Sequence, residues 1–246
     1  MILYGRNSVL EALRGRRAVR RTWALDDRLA AAVREHAPGV PVEHADAEAL
    51  ERICGSSSHQ GLVCEADPYP YADAAALLDA EQALVVALDR LQDPQNLGAV
   101  CRSAETAGAS GVVIPERHAA EVTPAVCRAS AGAVEHLPVA RVRNLADYLA
   151  QAKQAGAWVY GADAGAPRPY TDVDWAGPAV LVLGSEGKGL RPRVREACDD
   201  LLSVPVLGRV GSLNVSATAA VLLYEVVRSR AGAGPRQAQR RGGGGQ

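Results

Sequence analysis

Hydrophobic and polar positions follow two different rhythms along this chain. Through residue 67 the apolar runs are short. "NSVLEALRG" spaces its apolar residues as a helix does and closes on Gly15, and "DRLAAAVREHA" repeats that spacing. "RRTWAL", "VPVEHA" and "HQGLVCEA" read as strands beside them. "DPYPYADAA" brings two prolines and no period, which marks residues 68–80 as a linker. From residue 81 the runs lengthen: "ALVVALD", "GVVIP" and "AVLVLG" show no polar alternation, the pattern of strands covered on both faces of a parallel sheet. "AWVYGAD" and "LLSVPV" read as further strands, and "LGAVCRSAETAG", "LADYLAQAKQAG" and "RPRVREAC" as the helices between. A long apolar helix from Ala217 to Val227 closes the pattern. Strands alternating with helices predict a doubly wound α/β domain over residues 81–230, behind a small α/β domain over residues 1–67. The Gly-rich basic stretch 231–246 reads as a disordered tail.

At 246 residues, 48% hydrophobic and 22% charged, the chain can bury a sizeable core. No apolar run approaches the roughly 20 residues of a membrane span, and the N-terminus lacks the apolar region of a signal peptide. The five cysteines are scattered without a CxxC pair or clustered histidines, which argues against a disulfide framework and a zinc site and for a reduced, cytoplasmic protein. Net charge is −1, but its distribution is uneven: residues 1–22 carry six Arg against Glu11 alone. Residues 23–89 carry three Arg against thirteen acids. Arg presents a planar fork suited to phosphate, so a local basic footprint for nucleic acid is one reading and coding bias the other.

Ligands of open parallel sheets bind beyond the carboxyl ends of the strands. Three loops leave such ends with unusual polar residues. "LDRLQDPQNLGAVCRSAE" carries Asn96 at the helix start and Arg102 on the helix, "LVLGSEGKGLRP" is a Gly-rich turn with Glu186, and "SVPVLGRVGSLNVSA" crowds Ser212, Asn214 and Ser216 before the last helix. Lys188 is followed by Gly189, not Ser or Thr, so a P-loop fails, and Gly184, Gly187 and Gly189 lack the GxGxxG spacing. Singly, each residue has a plain alternative. Asn96, Ser212 or Asn214 could cap helices, Arg102 and Glu186 could be solvated charges, and Cys101 reads as a small buried hydrophobe. His59 is undecided. Three polar loops at the ends of one sheet nevertheless suggest a site.

"DPQNLGAVCRSAETAG", "LVLGSEGKGL" and "VPVLGRVGSLNVSATAAVLLYE" resemble, in order and spacing, the three motifs of the SpoU (TrmH-type) RNA 2′-O-ribose methyltransferases of the SPOUT superfamily. "YGRNSVLEAL" and "HQG" look like the small substrate-binding domain of its ribosomal branch, which methylates a guanosine of bacterial 23S rRNA in the peptidyl-transferase loop. The resemblance implies an α/β fold: a trefoil-knotted parallel sheet as the C-terminal domain, behind an L30e-like N-terminal RNA-binding domain. Glycines 208 and 211 would ease the tight turns of the threaded segment. It implies S-adenosylmethionine as cofactor, 23S rRNA as partner, a homodimer, and no metal. Gly184, Val204 and Leu213 match cofactor-binding positions. Asn96, Arg102, Glu186, Ser212 and Asn214 match the family's polar site, with Arg102 reaching the second subunit's cleft. Gln95, Ser185 and Lys188 depart from residues common in close relatives.

Overall fold

In the computed structural model, residues 1–185, 187, 189–209 and 211–232 are described; the tail expected beyond them lies outside these residues. The N-terminal unit runs β1 (Ile2–Tyr4), α1 (Arg6–Arg14), β2 (Val19–Ala24), α2 (Asp27–His36), β3 (Val42–His44), α3 (Ala47–Cys54) and β4 (Leu62–Ala66). Its sheet has the order β1-β4-β2-β3, with only β2 and β3 parallel. Asp26 and Asp46 cap α2 and α3 by accepting from Leu29 N and Ala49 N, each at 2.8 Å, which satisfies a donor the helix cannot. β4 starts later than its apolar pattern because His59–Gly61 form a turn: His59 Nδ1 accepts from Gly61 N at 3.0 Å. That settles buried His59 as a turn-builder.

The second unit runs β5 (Leu84–Asp89), α4 (Pro94–Thr106), β6 (Gly111–Pro115), α5 (Pro124–Ala129), β7 (Val139–Val142), α6 (Leu145–Gln154), β8 (Trp158–Ala162), β9 (Arg168–Pro169), β10 (Ala179–Gly184), α7 (Pro192–Ala197), β11 (Asp200–Ser203) and α8 (Val215–Gly232). Every pairing in its sheet, ordered β7-β6-β5-β10-β8-β11-β9, is parallel. β11 stops at Ser203, short of the full "LLSVPV" run, where Pro205 follows. In β5 and β10 alternate residues feed two cores. Val86, Leu88, Leu181 and Leu183 join a cluster with α4, α5 and α8, while Val85, Ala87, Val180 and Val182 join one with α6 and α7. Both faces are covered, which is why these strands read as unbroken apolar runs.

The first cluster continues into the N-terminal unit through Leu3, Val9, Leu62 and Cys64. Segment 68–80 runs across the junction as an ordered strap: Tyr69 Oη donates toward Val134 O and Leu137 O at 3.1 and 3.0 Å, and Ala72 bridges to Ala140. Beneath it, Arg17 is fully buried and paired with Glu135, Nη2 to Oε1 at 2.5 Å and Nε to Oε2 at 3.0 Å. Most of the basic N-terminal residues are therefore paired within the molecule, although only Arg17 is buried. Arg14, Arg20 and Arg21 also pair with carboxylates, and Arg16 bonds the His136 carbonyl.

Candidate active site

β5 and β10 lie side by side where the strand order reverses, so their carboxyl ends flank the crevice of the sheet. Gly184 ends β10 opposite Asp89 at the end of β5. Buried Asp89 accepts from Arg191 N at 2.8 Å and Arg191 Nε at 2.6 Å, tying the far side of the 185–190 turn back to β5. A Cβ on Gly184 would stand 2.2 Å from Gly189 C and 2.4 Å from its oxygen. Gly189, at φ 63, thus packs its main chain flat against the strand end. Glycines 208 and 211 play no such part: a Cβ on either would meet nothing within 4 Å, so close approach holds a glycine at 184 instead.

A cleft of about 600 Å³ opens at these ends, lined by Gly184, Val204, Val206, Ser212, Leu213 and Asn214 among others. Leu213 is 46% and Val206 39% exposed, apolar surface on a concave wall. Asp163, after β8, and Arg195, on α7, form an ion pair that also lines it. Neither stood out in the sequence, although an acid directly after "VYGA" sits at another strand end.

Asp93, not Asn96, caps α4: its Oδ1 accepts from Gln95 N at 2.9 Å, and Pro94 opens the helix. Asn96 lies inside the first turn, buried, and its Oδ1 accepts from Asn214 Nδ2 at 3.1 Å. Asn214 Oδ1 meanwhile accepts from Ser216 N at 2.8 Å and Ser216 Oγ at 2.6 Å. One amide therefore caps α8 and clamps it to α4. Arg102 stands six residues past Asn96, about 9 Å along the helix. It is exposed, does not line the cleft, and its guanidinium makes no hydrogen bond or ion pair among the described residues. Glu186 and Lys188 lie outside those residues. Cys101 is buried, and burial pushes its thiol up to about 12, which leaves it inert at neutral pH.

Residues 83–224 match the SpoU rRNA Methylase family, and residues 2–72 match the RNA 2′-O ribose methyltransferase substrate binding family. YacO of Bacillus subtilis, a TrmH family tRNA/rRNA methyltransferase by name, is 39% identical over 236 residues, covering 92% of this chain and 94% of its own. An uncharacterized tRNA/rRNA methyltransferase of Mycolicibacterium vanbaalenii is 44% identical over 240 residues, 93% of this chain and 76% of its own. The crystal structure of the SpoU methyltransferase AviRb from Streptomyces viridochromogenes, in complex with AdoMet, superposes with a TM-score of 0.80 at 28% identity, covering 94% of this chain and 90% of that one. With a glycine-walled cleft at the switch point of a parallel sheet and a substrate-binding unit before it, this chain belongs to the SpoU methylase family.

Proposed function

We propose that the chain is an S-adenosylmethionine-dependent RNA 2′-O-ribose methyltransferase, acting as a cytoplasmic homodimer on a guanosine of 23S rRNA in the peptidyl-transferase loop. The cleft carries this reading: about 600 Å³, walled by main chain at Gly184 and by exposed apolar side chains, with the Asn96–Asn214 pair beside it. A flat adenosine fits such walls, because the close Gly184–Gly189 contact brings main chain to the wall while Val204 and Leu213 offer apolar contact. When bound, S-adenosylmethionine supplies a methyl group already activated on a sulfonium.

The chain's own residues then have to position a ribose and manage a proton. Alignment supplies much of the acceleration in a transfer of this kind. Arg102 is permanently protonated, so it cannot take the 2′-hydroxyl proton. It binds the adjacent RNA phosphate or stabilises the developing alkoxide, and a phosphate oxygen or water accepts the proton. Asn96 and Glu186 orient the ribose and the Arg102 that enters from the second subunit, and Ser212 and Asn214 shape the pocket. Two observations support a homodimer. Arg102 stands outside its own cleft, and α8 carries apolar residues on two sides: Val215, Ala219, Leu222 and Val226 are buried, while Tyr224 (51%) and Val227 (36%) are exposed. A helix with two apolar faces needs a second cover. The knotted path belongs to this reading. Ribosomal RNA is favoured over tRNA by the name of the SpoU rRNA Methylase family, which covers the catalytic unit.

Incubating the protein with S-adenosylmethionine and either 23S rRNA or tRNA, then mapping 2′-O-methylation, tests the substrate. Modification of one loop guanosine in 23S rRNA is the expected result. Modification of tRNA alone would overturn the ribosomal assignment and keep the chemistry.

A further inference from the structure

Two opposite charges stand on the wall of a cleft that is otherwise uncharged. Among the described residues lining it, only Asp163 and Arg195 are ionised; the others are glycine, alanine or aliphatic, or neutral and polar as Ser212, Asn214 and Thr218 are. The Asp163 carboxylate and the Arg195 guanidinium form an ion pair. As a fastener the pair has little worth. Their side chains are 22% and 49% exposed, and ion pairs reached by water contribute little to stability. The strands at this end are also joined without it: β8 and β11 pair along their length, and Asp163 N donates to Leu202 O at 2.9 Å.

Each partner is instead held from behind. Asp163 follows β8 directly, and its Oδ1 accepts from Gly165 N at 2.8 Å, a local turn that fixes the carboxylate at the wall. Oδ2 serves Arg195, and a carboxylate has room for further donors on both oxygens. Arg195 lies on α7, whose start is tied to the sheet. Arg195 N donates to Arg191 O at 2.8 Å, and Arg191 N and Nε donate to buried Asp89 at the end of β5. The contact with Asp163 engages only Nη1 of a guanidinium that carries five N–H donors. Both groups are thus positioned at the cleft with hydrogen-bonding capacity to spare.

S-adenosylmethionine ends in an amino acid, an ammonium and a carboxylate on one carbon. Bringing these charges against an uncharged wall costs their hydration unless opposite charges meet them. We propose that this pair holds the amino-acid end of the cofactor, Arg195 binding its carboxylate and Asp163 its ammonium, while each protein group keeps its partner. This rests on the cofactor reading above and deepens it. Affinity then divides between an apolar adenosine half, against Val204 and Leu213, and a charged half at Asp163 and Arg195. Before the cofactor arrives, the two side chains neutralise each other, so neither has to be reoriented to receive it. β8 lies on the far side of β10 from β5, which leaves the β5 side, with Asn96 on the following helix, to the RNA ribose.

The test is calorimetry on the full-length protein without RNA, with three ligands. S-adenosylmethionine has both halves, S-adenosylhomocysteine keeps the amino acid without the sulfonium charge, and methylthioadenosine keeps the adenosine without the amino acid. The variants are Arg195→Ala, Asp163→Asn and Arg193→Ala, the last removing an exposed arginine of α7 that is off the cleft wall. Arg195→Ala and Asp163→Asn should each weaken S-adenosylmethionine and S-adenosylhomocysteine by roughly 10- to 100-fold, the loss of a hydrogen bond to a charged group. Methylthioadenosine affinity should stay at the wild-type value in both, and Arg193→Ala should match wild type with all three ligands. Melting temperatures should stay within about 3 °C of wild type, as for any partly exposed ion pair. Wild-type S-adenosylhomocysteine affinity in Arg195→Ala would overturn the proposal. So would an equal loss of methylthioadenosine, because the pair would then only shape the adenosine half. A loss confined to S-adenosylmethionine in Asp163→Asn would assign that carboxylate to the sulfonium and overturn it too. In each of these cases the wild type still binds cofactor and the function stands. If the wild type binds none of the three ligands, the cofactor reading falls and takes this one with it.

Discussion

Replacing Arg17 by methionine should be among the most damaging changes possible outside the cleft. The guanidinium and the Glu135 carboxylate are each only 1% exposed, joined at 2.5 Å. Arg17 also donates toward Cys127 Sγ at 3.2 Å and the Asp67 carbonyl at 3.3 Å, and covers the Tyr69 ring at 5.7 Å. Burial on its own would lower the Arg17 pKa, but hydrogen bonds and charge from Glu135 and Cys127 outweigh it and hold it above the ordinary value. With the folded value raised, its contribution is full below the unfolded value and is lost only as pH rises toward the folded one, so the Arg17 side of the pair is flat with pH through the working range. Methionine fills similar volume and leaves Glu135 buried without a counter-charge. Breaking a buried pair from one side costs about 3–5 kcal/mol. At about 2–4 °C per kcal/mol for a chain of this size, the melting temperature should fall by roughly 6–20 °C. Glu135→Leu alone should cost a similar amount, while Arg17→Met/Glu135→Leu together should recover most of it, since apolar replacement of both partners is close to neutral. Thermal melts of the four proteins by circular dichroism close the cycle. If the two losses simply add in the double variant, the pair is uncoupled and the reasoning fails.

Gly184→Ala should weaken S-adenosylmethionine binding at least tenfold by calorimetry, because its Cβ would overlap the Gly189 main chain and lift the turn off the strand end. Asn214→Ala removes both the α8 cap and the bond to Asn96; about 1 kcal/mol of stability should go with the cap, and cofactor affinity should fall further than with Ser216→Ala. In native protein at pH 8, thiol alkylation followed by peptide mapping should mark Cys54 alone, since burial pushes Cys64, Cys101 and Cys198 up to about 12 and Cys127 up to about 11. These raised thiol values let the unfolded chain ionise first. Stability is therefore complete below the ordinary thiol pKa and declines as pH rises through about 9 toward the folded values, and the urea midpoint should be lower at pH 10 than at pH 7.5.

The sequence made the sheet legible where burial on both faces forces unbroken apolar runs, as in β5, β6 and β10. α3 was missed although Leu50, Ile53 and Cys54 keep helical spacing, because eight residues give that rhythm only two turns to show itself, and β1 is only three residues long. α5 and β7 escaped because six and four residues are too few to establish a rhythm. At the site, the polar crowding of 212–216 was readable, but its division of labour was not. Only the fold shows that Asp93 takes the capping role on α4 and frees Asn96 to meet Asn214, 118 residues away. Arg17 was least legible of all. Inside "RGRRAVRR" it looks like one more solvated charge, and only the placement of Glu135, 118 residues on, turns it into the bolt between the two units. The Asp163–Arg195 pair is hidden for the same reason.

The central claim is that this cleft directs a methyl group to a ribose oxygen, and the position of the transferred methyl tests it most directly. Ribosomal RNA labelled by the protein from tritiated S-adenosylmethionine is hydrolysed with alkali, which cannot cleave beside a 2′-O-methyl ribose. The account predicts tritium in alkali-resistant dinucleotides, with that signal lost in Arg102→Ala while cofactor binding persists. Tritium in mononucleotides would place the methyl on a base and contradict the account.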